Sequence, residues 1–416
     1  MSESQKTTIA VIGAGLVGLS CALWLQKKGF QVSLIDPEKP GSVTSFGNAC
    51  TIAEYGCVPI NSPDIFKRLP GLLFSKDSPL SLDPLYAASH PRWMIQFLLN
   101  CRGHRVEYII RHLSQLLNQA RSGMEPLIEM CDAHHLIGQN GFMHVYRDDA
   151  EFAAAWPANL ARRNQGVVFS ELNAGEIQDL EPNLKYPFQR GLLFEGVKQV
   201  LDPQALSDRY TETFLQQQGH LIPQKAMQVD VSESQVRVQL GSGDSISTDQ
   251  VVIAAGAFST QIKGLQMASI PLDTERGYHV QYSDKQHLVS RPVSWQQAGF
   301  YATPTLRGLR FAGTVEIAGY SQRKNPRMID YLTRLSKQMF DLPESPDQDW
   351  LGYRPTLPDA LPVIGFSPHS KKLLFAFGHH HLGLTLSGVT GQWISELASG
   401  DAPGIDMTPF SAARFG

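Results

Sequence analysis

Several large protein classes are excluded by what this sequence lacks. Its five cysteines, Cys21, Cys50, Cys57, Cys101 and Cys131, are odd in number, form no C-x-x-C pair and stop within the first third of the chain. That argues against a disulfide framework or a cysteine zinc site, and reads as free thiols in a reducing compartment. No run approaches the roughly 18 consecutive apolar residues that span a bilayer. Lys and Arg number 36 against 39 Asp and Glu, a net charge of −3, which gives no electrostatic case for nucleic acid. Repeats and low-complexity segments are absent. The opening MSESQKTT is polar and runs directly into an apolar strand, so no secretory leader is expected. The expected location is the cytoplasm, with contact to the inner face of the cell membrane or to a partner subunit as the lesser reading.

What is present is a globular composition: 42% hydrophobic, 18% charged, 35 Gly and 26 Pro over 416 residues, or two to three domains' worth of chain. The most informative stretch is 7–36, TTIAVIGAGLVGLSCALWLQKKGFQVSLID. It predicts a strand, the turn Gly13-Ala14-Gly15-Leu16-Val17-Gly18, an apolar helix to Gly29, a second strand and the acid Asp36. Gly13 permits the tight turn, Gly15 lets backbone approach a pyrophosphate, and Gly18 lets the helix pack close to the strand. The helix N-terminus offers free N–H groups and partial positive charge to phosphates. Asp36 can accept from a ribose diol and would repel a 2′-phosphate. An isolated G-x-G-x-x-G is weak, but here strand, helix, strand and acid fall in register. The chain is expected to bind a dinucleotide, and the motif's place within the first residues favours FAD.

Downstream, residues 55–90 are rich in Pro, Ser, Leu and Asp and predict long loops. Residues 91–135 turn helical, with Trp93, Met94, Phe97, Leu98 and Cys101 on one face and Val106, Ile109, Ile110, Leu113, Leu116 and Leu117 on another. Such stripes are core more often than membrane or partner surfaces. Short strands are predicted at GFMHVYR, GVVFSEL and GLLFEG, with a helix from Asp149. Asp202 as N-cap and Pro203 at the first helical position start another helix, expected to stop at Gly219. AMQVDVSES and QVRVQLGSG alternate as a hairpin. TDQVVIAAGAFS is a strand ending at Gly256, residues 270–330 are strand-rich, and KKLLFAFG leads through HHHLGLT to a final helix ending at Gly400.

Three further segments carry a family resemblance: TSFGNAC (44–50) with SPLSL and HPRWMIQFLLNC; LDPQAL with TDQVVIAAGAFS; and GYRPTLPDALPVIG with AFGHHHLGLTLSGVTG. Over essentially the whole chain these resemble the FAD-dependent D-amino-acid dehydrogenases of the D-amino-acid oxidase superfamily. TERGYHV and GHHHLGLT depart from the general pattern and resemble the D-proline or hydroxy-D-proline dehydrogenase branch. The resemblance implies an α/β protein with a Rossmann-like FAD-binding domain (1–60, 195–265 and 345–416) and an interleaved α+β substrate domain on an antiparallel sheet (61–194 and 266–344).

Roles follow by segment. Ser45, Asn48 and Ala49 would pass the pyrophosphate and flavin edge. Val229 would clamp adenine through its main chain, and Gly256 would lie close to the ADP moiety. In the loop Gly378–Thr385, His381, Leu382, Gly383, Leu384 and Thr385 would frame the flavin, the helix N-terminus stabilising negative charge on the reduced ring. His379, His380 and His381 invite a metal reading, but adjacent histidines diverge and no Asp, Glu or Cys cluster completes a site; no metal is expected. Arg354 is the first candidate for the substrate carboxylate and Arg276 the second, since a guanidinium grips a carboxylate with two parallel bonds. Tyr278 or His279 would assist amine deprotonation or bind a ring hydroxyl, and His380 with its neighbours would shape the flavin's edge and the wall of the substrate pocket. No cysteine follows Cys131, so the FAD is expected to be non-covalent. The expected reaction is hydride transfer from a D-amino or imino acid, D-proline or 4-hydroxy-D-proline favoured, to flavin N5, giving the imine; a quinone or dye would take the electrons on. Rival readings are a sarcosine- or glycine-type oxidase, a general D-amino-acid dehydrogenase, and a non-catalytic dinucleotide-fold escort protein.

Overall fold

The computed structural model describes residues 6–63, 78–267 and 269–416. Part of the loop expected at 55–90 lies outside the described residues. The first strand, β1 (Thr8–Ile12), is apolar and buried at four of its five positions. Helix α1 (Leu16–Lys27) follows, and then the second strand, β2 (Gln31–Ile35). β1 is central in a six-stranded sheet ordered Val363–Ser367, Ser370–Phe377, Gln250–Ile253, β1, β2, His220–Ile222. All pairs are parallel except the first, where Val363–Ser367 folds back on its neighbour. The hairpin Ala226–Val231 and Val236–Leu240 forms its own three-stranded sheet with Ser245–Thr248.

A nine-stranded mixed sheet makes the other half. Its strand Asp273–Tyr282 is paired antiparallel with Gly308–Ile317 on one side and Gln348–Thr356 on the other. The strand Gln348–Thr356 falls in the segment 345–416 expected with the FAD half, yet its ladder belongs to this sheet. Conversely, the helices Gly103–Leu117 and Ala120–Met130 fall in the segment expected with the substrate half. Their apolar stripes, Ile109, Leu113, Leu116, Met124 and Leu127, pack into the core around α1 and the final helix.

Local signals explain several boundaries. Asp202 Oδ1 accepts from the N–H groups of Gln204 and Ala205, capping Pro203–Gln216 as its sequence predicts. That helix ends before Gly219: the left-handed residue is Gln218, with φ 62°, and Gly219 N–H donates to Phe214 O.

Three helices meet through small residues. The final helix, Gly383–Ala398, crosses α1 at Gly391, where an added Cβ would lie 2.6 Å from the Ser20 backbone. It crosses Ala120–Met130 where Gly388 faces Gly123, each site leaving a Cβ no more than 2.6 Å from backbone. Backbones this close cannot relax around a larger group, and overpacking of this kind costs about 1–3 kcal/mol. Gly391→Val is expected to lower stability by at least ~2 kcal/mol, read as a lower urea midpoint with an unchanged slope. A wild-type midpoint would refute this contact as a packing constraint.

Candidate active site

The loop from Thr44 to Cys50 connects the two halves, and the larger sheet holds it. Arg310, without exposed surface, donates from one guanidinium nitrogen to the carbonyls of Phe46 (2.8 Å) and Asn48 (3.1 Å). Thr303 donates to Ala49 O at 3.0 Å. Ser45 Oγ accepts from Leu16 N–H at 3.0 Å, tying the loop to the start of α1. Between this loop and both sheets runs a cavity of about 1240 Å³.

At one end of the cavity lie Gly13, Ala14, Gly15, Leu16 and Val17. Gly13 holds φ +107°, and a Cβ there would approach Ala254 O to 2.4 Å, so only glycine fits. Gly18 stands behind the wall, its Cα against Gly13 O, as the close helix packing requires. Asp36 lines the cavity, but its Oδ2 accepts from Ala14 N–H at 2.6 Å and Oδ1 from Glu38 N–H. It thus fastens the glycine turn to the end of β2. Burial raises its pKa above the ordinary carboxylate value against the pull of those two N–H groups. Ser45, Asn48, Ala49 and Gly256 also line the cavity.

Val229 does not. It pairs with Val238 in the small sheet, and its N–H is already given to Lys263 O at 2.9 Å. Lys225 and Ala226, earlier on the same segment, reach the wall instead.

The far end is built by His379–Leu384 and the larger sheet. His379, His380, His381, Gly383 and Leu384 line the cavity. Gly378 backs onto Leu357, Leu382 is buried, and Thr385 Oγ1 accepts from Ala53 N–H at 2.8 Å behind the wall. His379 Nε2 pairs with Thr390 Oγ1 at 2.9 Å, and His380 Nε2 accepts from Leu357 N–H at 3.0 Å. Burial first, and neighbouring positive charge second where present, takes the pKa of His379 and His380 down to about 3 and that of His381 to about 4. All three are neutral near pH 7.

Arg354 lines this end and is half-buried in the larger sheet. Its guanidinium lies over Gly277, where a Cβ would come within 2.4 Å of it. Two of its nitrogens donate to Thr314 O (2.7 Å) and Gly313 O (3.3 Å). Burial lowers its pKa, with Glu275 and Tyr301 opposing. Tyr301, Trp350, Gln296 and Glu275 line the same region, none of them a residue that sequence reasoning selected.

Arg276 and Tyr278 are not brought to the cavity. The strand's pleat turns both to the opposite face, where Arg276 pairs with Glu316 at 3.3 Å and Tyr278 donates to the same carboxylate. Asn325 closes the network, donating its backbone N–H to Tyr278 and its side-chain amide to Glu316 at 2.7 Å. His279 lies on the cavity side of the strand but one layer back, its Nδ1 3.2 Å from Gly47 O and its ring stacked on Trp350. It supports the wall without forming it.

Two helix N-termini, of α1 and of Gly383–Ala398, open on one continuous space, and neither has an acidic residue in its first turn. Gly13 and Gly15 carry no side chain, and Gly15 would meet only Ser45 Oγ if it carried one. These residues fit an elongated, twice-negative dinucleotide.

A dinucleotide-type sheet joined to a large mixed sheet, with the cavity between them, defines a flavoprotein oxidoreductase. The FAD dependent oxidoreductase family model matches residues 8–397, and the chain belongs to that family. It is 34% identical over 415 residues to a D-amino-acid oxidase of Bradyrhizobium diazoefficiens, covering 98% of each chain. It is 30% identical over 423 residues to D-amino acid dehydrogenase 2 of Pseudomonas aeruginosa, covering 96% of this chain and 97% of the relative. Among solved structures, glycine oxidase from Geobacillus kaustophilus is similar with a TM-score of 0.75 at 20% identity, covering 99% of each chain. L-proline dehydrogenase from P. horikoshii gives 0.73 at 17%, covering 99% of this chain and 98% of that one. The protein is thus an FAD-dependent enzyme of the amino-acid oxidase and dehydrogenase family. No helix among the described residues is long and apolar enough to cross a membrane.

The placement of Arg276 gives a discriminating test. Removing one partner of a buried pair leaves an uncompensated charge and costs about 3–5 kcal/mol. Arg276→Met is therefore expected to lower thermal stability by roughly that amount while FAD content and substrate affinity stay near wild type. Lost substrate affinity with stability intact would return Arg276 to the cavity.

Proposed function

We propose that the protein oxidises a D-amino or imino acid to its imine, with D-proline or a 4-hydroxy-D-proline favoured. The observation that carries the reading is Arg354: a half-buried guanidinium on the cavity wall, cleared by Gly277 and positioned by two carbonyls. In this reading its remaining N–H groups grip the substrate carboxylate as a planar fork. Trp350 and Tyr301 supply flat walls that suit a small ring. Neutral His381 and Gln296 supply polar groups, which favour a partner able to hydrogen-bond over a purely aliphatic side chain. When bound, FAD supplies the two-electron acceptor next to the substrate carbon. The chain's work is to hold the substrate in line, exclude water and fix the local charge.

Ser45, Asn48, Ala49 and the Gly13–Val17 turn would hold the FAD pyrophosphate region, and Gly383 and Leu384 the flavin edge. The cofactor is read as non-covalent. A single cysteine, Cys50, touches the cavity among the described residues; it is buried with its thiol in contact with Arg310 and Asn48 O. A quinone or dye is proposed as the onward electron acceptor.

Two measurements test this. Arg354→Lys, which replaces the fork by a point charge, is expected to weaken apparent substrate affinity about 10- to 100-fold, the range of a lost charge-assisted bond. FAD should remain at wild-type content and be released by acid. Unchanged kinetics would move the carboxylate site elsewhere. A panel of D-proline, 4-hydroxy-D-proline, D-alanine, D-arginine, glycine and sarcosine, read by dye reduction, is expected to rank a D-proline derivative first. Faster turnover of D-alanine or D-arginine would overturn the ring-substrate preference, and of glycine or sarcosine the D-amino-acid reading itself.

A further inference from the structure

Glu275 is the one acidic side chain that the strand Asp273–Tyr282 presents to the cavity. It is 5% exposed and sits directly opposite Arg354 in the antiparallel ladder. Opposed residues on one face have Cβ atoms roughly 5 Å apart, so the two charges share one patch of wall. Arg354 nevertheless spends donors on the Gly313 and Thr314 carbonyls. The neighbouring acid, Asp273, is engaged differently: it accepts from the Tyr86 hydroxyl at 2.6 Å.

A cation and an anion side by side, both reaching one cavity, match the two ends of a zwitterion. We propose that Glu275 binds the ammonium of the substrate whose carboxylate Arg354 grips, and takes one proton from it. This rests on the amino-acid reading above and names a residue that the reading does not require.

The step balances as follows. One N–H bond of the ammonium breaks and its proton passes to a Glu275 oxygen. The freed lone pair forms the C=N bond as the adjacent C–H bond breaks, and that hydrogen leaves with both electrons of its bond, as hydride, to the acceptor that FAD would supply. The substrate is oxidised by two electrons, and Glu275 returns its proton to water.

The surroundings suit this role. Burial pushes the Glu275 carboxyl up to about 7; Arg354 pulls it down and Asp273 raises it further. His380 and His381, which reach it from the segment before the final helix, are neutral at that pH. A carboxylate poised near the working pH can both accept and release a proton.

The sign is fixed by this assignment. The ionised form is the active one, so oxidation should fade as pH falls below about 7. The test uses the FAD-loaded enzyme with Glu275→Gln and Glu275→Asp. Three quantities are read: FAD content, binding of benzoate (a carboxylate without an amine) by flavin spectral shift, and the anaerobic bleaching rate at saturating D-proline across pH. The Gln variant should bleach roughly 100-fold slower at neutral pH and recover toward pH ~10, where the free amine itself loses its proton. Benzoate should bind at least as tightly as to wild type, since Arg354 is untouched and the anion opposite it is gone, while FAD content stays near wild type. The Asp variant should be slower but keep the acid limb.

A Gln variant with the wild-type pH profile would overturn the proposal. So would parallel loss of FAD and benzoate binding in both variants, which marks a structural role. Failure of the wild-type enzyme to be bleached by any D-amino or imino acid is a separate result: it would sink the substrate reading on which the proposal stands.

Discussion

The two halves of this molecule meet through a guanidinium with no exposed surface. Arg310 belongs to the larger sheet, but its donors end on the carbonyls of Phe46 and Asn48, in the loop that leaves the dinucleotide sheet. A buried cation costs heavily unless its N–H groups are satisfied. The two carbonyls satisfy Nη1, leaving Nη2 without a partner, and they do so only if the loop 44–50 adopts one shape. The bond therefore works in both directions: the loop solvates Arg310, and Arg310 fixes the loop. Ser45 then reaches the start of α1 and Asn48 the cavity wall, so the cofactor cradle inherits its geometry from a residue on the other sheet. Any rotation between the halves would strand the charge.

How legible the molecule was in sequence follows from how local each constraint is. The turn at Gly13–Gly18 needs only its own backbone, and the Asp202 cap only two following N–H groups, so both could be read directly. Arg310 gave no such signal, because its partners in the loop 44–50 lie more than 250 residues away. The helices from Gly103 to Met130 announced apolar stripes correctly, but a stripe does not say which core receives it. Packing against α1 and the final helix was decided by the small residues Gly123, Gly388 and Gly391, whose meaning appears only when the helices cross.

The strand Asp273–Tyr282 shows a different limit. A half-exposed strand reveals its faces by alternation of apolar and polar residues. This one is buried at all ten positions, with charged groups on both sides, so that signal vanishes. Arg276, Tyr278 and His279 drew attention because their chemistry suits an amino acid. The pleat instead sends Arg276 and Tyr278 to Glu316 and leaves Glu275 and Gly277 on the cavity side. A one-residue change of register would exchange the two sets. The bulge between Arg276 and Tyr278 lies in the pairing that fixes this choice.

The division of charge at the far end of the cavity then follows from burial. Three adjacent histidines could have made that end positive. His379 is buried and His380 half-buried, both engaged in hydrogen bonds, and with His381 beside Arg354 all three stay neutral and act as dipoles. Arg354 resists neutralisation because a guanidinium keeps its proton even when burial lowers its affinity for it. The patch is thereby left with one fixed cation and one carboxylate whose charge the surroundings bring within reach of neutral pH. A fixed cation supplies orientation, since its partner cannot slip without losing a planar pair of bonds. An adjustable anion supplies proton movement. The same low-dielectric wall produces both behaviours because the two side chains start about eight pH units apart, and desolvation moves both toward neutrality without closing that gap.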